Sequence, residues 1–180
     1  MYTNPRIISG KLKGIKLDVS DSTRPLTDRV KRTIFDILDS YINDINVLDL
    51  FSGSGNFAME SISRGAKYAV LIDRDQKSIS AIYNNVKKSK IENQVKIIKS
   101  SFEDYLRKSD DKFNLIFIDP PFTIIHKVKL NKVLPLLIKN GLIIIKLPNN
   151  ERKNYKIPIS FEVIKEKNIG INCILFLKIK

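Results

Sequence analysis

The sequence predicts a doubly wound α/β domain with a mostly parallel, seven-stranded sheet and an antiparallel edge hairpin. Three observations predict it. From Asn46 onward, short runs rich in Val, Ile and Leu alternate with amphipathic stretches. The apolar runs are nearly continuous, which suits strands covered by helices on both faces. The first run ends in Gly53-Ser54-Gly55 and leads into a helical pattern, the arrangement that lets a ligand approach backbone closely.

The first element is the N-terminal segment. Residues 6–17, RIISGKLKGIKL, predict two short strands with glycines near the turn, a basic hairpin. A polar linker, DVSDSTRP, comes next. Val30, Ile34, Ile37, Leu38 and Tyr41 recur at helical spacing, so Thr27 to Tyr41 is a helix with Thr27 or Asp28 near its N-cap. Strands are expected at 47–51, 68–72, 95–98, 115–118 and 142–147. Helices are expected between them at 56–64, 76–88, 102–107 and 128–137. In the second of these, Ile79, Ile82, Tyr83 and Val86 should face inward. Two closing strands, 161–165 and 173–179, have no strong helix between them and form the edge hairpin. A single domain is expected, with residues 1–26 an N-terminal hairpin and linker and 27–180 the α/β core.

Composition narrows the chemistry. Charged residues make up 28% of the 180, and the formal net charge is +13. A domain that basic usually meets a polyanion. The bland reading is a lysine-rich surface that only keeps the chain in solution. With one cysteine and one histidine, Cys173 and His126, neither an internal disulfide nor a Cys/His zinc site is available. Cys173 sits in an apolar run and reads as core. No apolar run approaches the roughly 20 residues of a membrane helix, and the first residues lack the apolar stretch of a signal peptide. A reducing, cytoplasmic setting is expected, with no metal and no membrane.

Two strand ends carry the chemistry. The second strand ends in Asp73, where a carboxylate can hold the two hydroxyls of a ribose. Gly53-x-Gly55-x-x-Ala58 with Asp73 downstream also satisfies a dinucleotide fingerprint. Asp49 tilts the choice: a negative charge there opposes a pyrophosphate and suits the ammonium and sulfonium of S-adenosylmethionine. The fourth strand ends in Asp119-Pro120-Pro121-Phe122, which has no role in hydride transfer. The prolines stop the strand and stiffen the turn after it.

These stretches resemble a known family. DLFSGSG, LID and DPPF, in this order, look like a class I S-adenosylmethionine-dependent methyltransferase of Rossmann-like fold acting on an exocyclic amine. RIISGKLKG, TRPLTDRVKRTIFDIL, SGSGNFAMESISRGA and FIDPPF resemble the RsmD-like bacterial 16S rRNA guanine-N2 methyltransferases, over nearly the whole chain. The resemblance implies catalytic roles for Asp119, Pro120, Pro121 and Phe122. It implies cofactor contacts at Asp49, Phe51, Ser52, Gly53, Gly55, Asp73, Arg74, Ser101, Phe102 and Asp119. It implies RNA contacts at Arg6, Lys11, Lys13, Arg24, Thr27, Arg29 and Lys31, a 16S rRNA or small-subunit substrate, and a monomer. His126 is read as a loop or RNA-contact residue. Four positions depart from the family pattern: Ser101 and Lys146 stand where acidic residues are common, Arg32 replaces Glu and Asp36 replaces Asn. None of these is expected to touch the catalytic tetrad. An adenine-N6 methyltransferase, a nicotinamide dehydrogenase and a non-catalytic RNA-binding module stay open as rival readings.

Overall fold

A computed structural model describes residues 5–20 and 27–180. Seven strands form one sheet: β1 (Asn46–Asp49), β2 (Tyr68–Asp73), β3 (Val95–Lys99), β4 (Phe113–Ile118), β5 (Leu137–Pro148), β6 (Phe161–Ile169) and β7 (Asn172–Ile179). Their order is β3-β2-β1-β4-β5-β7-β6. The first five pair in parallel, and β7 is antiparallel to both β5 and β6. The expected closing hairpin is therefore present at the edge. The chain reverses its direction of winding between β1 and β4, and the carboxyl ends of those strands flank the crevice where ligands bind in such sheets.

Side chains alternate across the sheet and build two cores. Val47, Leu115, Phe117, Ile144 and Phe176 face α1 (Asp28–Leu38), α2 (Asn56–Ser63) and α3 (Gln76–Ser89). Leu48, Ile116, Ile143, Ile145 and Leu175 face α4 (Phe102–Lys108) and α5 (Leu130–Val133). Phe57 on α2 stacks on Phe117 of β4, centroids 4.6 Å apart, so this ring is a core residue. Cys173 is buried as expected.

Three expectations are corrected. The helix foreseen at 128–137 is only the single turn α5 and a short 3-10 turn. Pro135 cannot donate to an α-helical ladder, and β5 already begins at Leu137. Tyr83 is not inward: it is 56% exposed, while Ile79, Ile82 and Val86 are buried. The N-terminal hairpin is present, but its two expected strands shrink to one antiparallel bridge, Arg6 with Lys16, closed by Ile7 N–H to the Ile15 carbonyl (2.9 Å), Gly14 N–H to the Ile7 carbonyl (2.8 Å) and Leu17 N–H to the Pro5 carbonyl (2.7 Å). α2 anchors that segment to the core. Lys11 N–H donates to the Ser63 carbonyl (2.8 Å) and Leu12 N–H to the Ser63 hydroxyl (2.9 Å). Gly10 lies so close to the Ser63 carbonyl, at φ +77°, that a Cβ would overlap it. Covered in this way, every residue of α2 is buried, including Asn56, Glu60, Ser61 and Ser63.

Candidate active site

The first half of the site is built by the loops after β1 and β2. Asp49 closes β1 and is fully buried. The Ala58 N–H, in the first turn of α2, donates to its Oδ2 at 3.4 Å, and its Oδ1 has no hydrogen-bond partner among the described residues. Burial, with repulsion from Asp119 and Asp73, pushes the Asp49 carboxyl up to about 8; the Ala58 N–H opposes this. Ser52 is buried, and its hydroxyl donates to the Asp49 carbonyl at 2.8 Å. Gly53 and Gly55 have φ of 55° and 78°, and Gly55 is the N-cap of α2. Such angles are open to glycine at no steric cost.

Asp73, at the end of β2, ties two loops together. Gly53 N–H donates to its Oδ2 (2.8 Å) and Asp75 N–H to its Oδ1 (2.9 Å). An ionised carboxylate offers about four acceptor positions, so two remain for a diol. Arg74, next along the chain, is exposed. Beyond β3, Ser101 caps α4: its hydroxyl accepts from Asp104 N–H (3.1 Å) and pairs with Asp104 Oδ2 (2.9 Å). The residue that departs from the family's acidic position thus has a local structural role. The half-buried Phe51 and the buried Phe102 meet with centroids 5.0 Å apart, an apolar wall beside the glycine loop.

The second half comes after β4. Asp119 and Phe122 are partly buried, Pro120 is buried and Pro121 exposed. A 3-10 turn, Phe122–Lys127, begins directly after the prolines and carries His126 to the surface. Lys146 of β5 forms an ion pair with Asp119, and its Nζ lies 5.4 Å from the centre of the Phe122 ring. The expectation that Lys146 stays clear of the tetrad is therefore corrected: it touches two of its four members. Strand register is the reason. Ile118 pairs with Ile145, so the next residue of each parallel strand, Asp119 and Lys146, emerge side by side. A cleft of about 550 Å³ opens beside Phe122, lined by Pro148, Asn149, Asn150, Glu151, Gly170 and Ile171. None of these was singled out from the sequence.

The expected RNA contacts divide. Arg6, Lys11, Lys13 and Arg29 are all exposed. Arg6 pairs with Asp28 (3.1 Å), and Lys11 bonds Gln94 (2.6 Å). Thr27 is exposed but caps α1, accepting from Val30 N–H at 3.4 Å. Arg24 lies outside the described residues. Lys31 is corrected outright. It is fully buried, bonded to Asn56 Oδ1 (2.8 Å) and the Arg6 carbonyl and paired with Glu60 (3.3 Å), so no phosphate can reach it. Burial holds its ammonium below the usual lysine range, and Glu60 partly offsets that. Arg6, Lys13, Arg32 and Arg64, with Asp36, line a second cleft of about 540 Å³ against the N-terminal segment.

The residues fit S-adenosylmethionine on their own chemistry. A buried, unpartnered carboxylate oxygen on Asp49 suits an ammonium, Asp73 suits a ribose diol, and the Phe51–Phe102 wall suits a flat base. Among the described residues, no group of three or more His, Cys, Asp or Glu side chains is placed to hold a metal ion. Among the same residues, no helix is long and apolar enough to cross a membrane.

Strand order, the glycine loop with Asp49 and Asp73, and the Asp-Pro-Pro-Phe turn define a class I S-adenosylmethionine-dependent methyltransferase. Comparison with known proteins narrows the class. The family described as "Conserved hypothetical protein 95" matches residues 5–178, and the chain belongs to that family, the RsmD-like group. Ribosomal RNA small subunit methyltransferase D of Buchnera aphidicola (subsp. Acyrthosiphon pisum) is 33% identical over 95% of this chain and 92% of its own. The protein of that name from Escherichia coli K12 is 37% identical over 76% and 68%. The solved structure of Escherichia coli yhhF superposes with a TM-score of 0.85 at 28% identity, covering 98% of both chains.

Proposed function

We propose that this chain methylates the exocyclic N2 amine of a guanine in 16S rRNA, on the small ribosomal subunit or an assembly intermediate. The observation that carries the reading is the placement of Asp119-Pro120-Pro121-Phe122 at the end of β4, beside the Asp49 end of β1. The two relatives named as small subunit rRNA methyltransferases support small-subunit ribosomal RNA as the polymer. The cofactor supplies an electrophilic methyl group. The amine is a poor nucleophile because its lone pair is delocalised into the ring. Asp119 accepts one N–H and the Pro120 carbonyl the other, which turns the lone pair toward the methyl and stabilises charge developing on nitrogen. The prolines hold that carbonyl still. Phe122 stacks on the flipped base, a contact of about 1–3 kcal/mol. Proton loss then goes to Asp119 or water.

The test is product analysis. Unmodified small-subunit particles and naked 16S rRNA are each incubated with protein and labelled cofactor, then digested to nucleosides for mass spectrometry. N2-methylguanosine is the expected product. N6-methyladenosine would move the reading to the adenine class, and no label in either RNA would leave a binding module.

Cofactor binding should be linked to pH through Asp49. Its folded carboxyl titrates near 8, against about 4 when unfolded. The folded apoprotein therefore holds a proton across this window that the unfolded chain has released. Stability of the apoprotein from this group is full below about pH 4 and falls as pH rises toward 8. An ammonium at Asp49 needs the ionised form, so binding ejects that proton and tightens as pH rises from 6 to about 8. Titration calorimetry at pH 7 in two buffers of different ionisation enthalpy should show release of roughly one proton. Equal apparent enthalpies in both buffers would take Asp49 out of the cofactor site.

RNA affinity should depend on salt through the N-terminal segment. Arg6, Lys11 and Lys13 are exposed; Arg6 pairs with Asp28 and Lys11 bonds Gln94 at the surface. In an Arg6/Lys11/Lys13/Lys16 quadruple alanine variant, the slope of log K against log salt should flatten by about 0.7–0.9 for each phosphate no longer neutralised. An unchanged slope would place the footprint elsewhere.

A further inference from the structure

Two features proposed for the target base, the Asp119 carboxylate and the Phe122 ring, are already engaged by one side chain. Lys146 brings a primary ammonium to Asp119 and over the ring of Phe122. Neither member of the pair lies open: the Lys146 side chain is 13% exposed and that of Asp119 20%. The ammonium takes the acceptor position at Asp119 that faces the Phe122 ring, so a base stacked on that ring must displace it to donate its amine there.

We propose that Lys146 is a positioning residue that occupies the amine-acceptor site of the free protein and is displaced when the target base enters. The proposal rests on the methyl-transfer reading and adds a residue to it. The acceptor and the ring together bind an alkylammonium in this structure. A cationic amine is what the target nitrogen becomes as it takes the methyl. The pocket is thus matched to the charged nitrogen of the transition state better than to the neutral amine of the substrate, which is the condition for accelerating the step. Displacing the lysine costs ground-state affinity for the RNA and leaves that match intact.

The other charged or titratable groups about Asp119 can be named. Asp49, at the neighbouring end of β1, repels it. His126, on the turn after Phe122, is exposed. Burial raises the Asp119 carboxyl and Lys146 opposes that, so removing the lysine leaves burial unopposed by it.

The experiment compares wild type, Lys146→Met and Lys146→Arg. Carboxyl NMR of the apoprotein tracks Asp119 without any need for turnover. Asp119 should titrate at higher pH in Lys146→Met than in wild type and near the wild-type position in Lys146→Arg, which keeps the charge. In methylation assays, Lys146→Met should show a lower KM for RNA and a lower kcat at pH 7 that recovers at alkaline pH. Lys146→Arg should keep the wild-type pH profile. An Asp119 titration that stays put in Lys146→Met overturns the pairing. A raised KM with an unmoved pH profile overturns the displacement and makes Lys146 an RNA contact. A wild type that methylates no RNA overturns the reading on which the displacement rests, and the apoprotein titration separates that failure from a failure of the pair.

Discussion

Asp119→Ala is expected to slow methyl transfer by about two to three decades, or about 2.7–4 kcal/mol, with cofactor affinity nearly unchanged. The carboxylate stands at the end of β4, where it meets Lys146 and the Phe122 turn. Asp73, the carboxylate proposed for the ribose diol, is two strands away on β2. Loss of Asp119 therefore falls on the step in which positive charge appears on the amine, and the effect belongs in kcat. Asp119→Asn should also be severely impaired, because its amide still accepts a hydrogen bond but carries no charge. Phe122→Ala should weaken capture of the base, whereas Phe122→Tyr keeps the ring face and much of the activity. The measurement is single-turnover transfer of labelled methyl to unmodified small-subunit particles. Wild-type rates in Asp119→Ala would reduce Asp-Pro-Pro-Phe to a strand terminator followed by a ring.

Most of the sheet was legible because its strands are short, apolar and punctuated by glycine, proline or aspartate. Asp49, Asp73 and Asp119 each end a strand or directly follow one, so the sequence pattern alone brought them to one edge. The misses have physical causes. Lys146 was seen as a departure from the family pattern, but only the parallel pairing of Ile118 with Ile145 puts it beside Asp119. Pairing register between distant strands is not written in either strand. The family resemblance and the basic excess of its segment point Lys31 toward RNA. A signal against this was present: Lys31, Ile34, Phe35 and Leu38 share one stripe of α1, all of it buried. The cleft beside Phe122 joins residues near 122, 150 and 170, which no local pattern connects.

Lys31 belongs to a buried ionic cluster whose disruption should be the costliest single change to folding. Glu60 on α2 is fully buried and accepts from four donors: Ile8 N–H (2.8 Å), Ser9 N–H (3.1 Å), Arg64 Nε (2.8 Å) and Lys31 Nζ (3.3 Å). It thus clamps the N-terminal segment and α1 onto α2 through one carboxylate. Removing one partner of a buried pair leaves the other charge uncompensated, which costs about 3–5 kcal/mol. The two partners should not be equivalent. Lys31→Met leaves Glu60 with Arg64 and two backbone donors, and it frees only the Asn56 and Arg6 oxygens. Glu60→Leu strands a buried ammonium, two backbone N–H groups and a guanidinium together. Glu60→Gln keeps the shape but turns an NH2 toward donors, so it should fall between wild type and Glu60→Leu. The expected order of stability in urea is wild type, Lys31→Met, then Glu60→Leu, the last near the upper end of that range or unfolded. Amide exchange at Ile8 and Ser9 supplies a second readout: protection should drop in Glu60→Gln, which retains the fold. If Glu60→Leu is as stable as wild type, apolar packing of Ile7, Leu12 and Leu17 holds the N-terminal segment without the cluster.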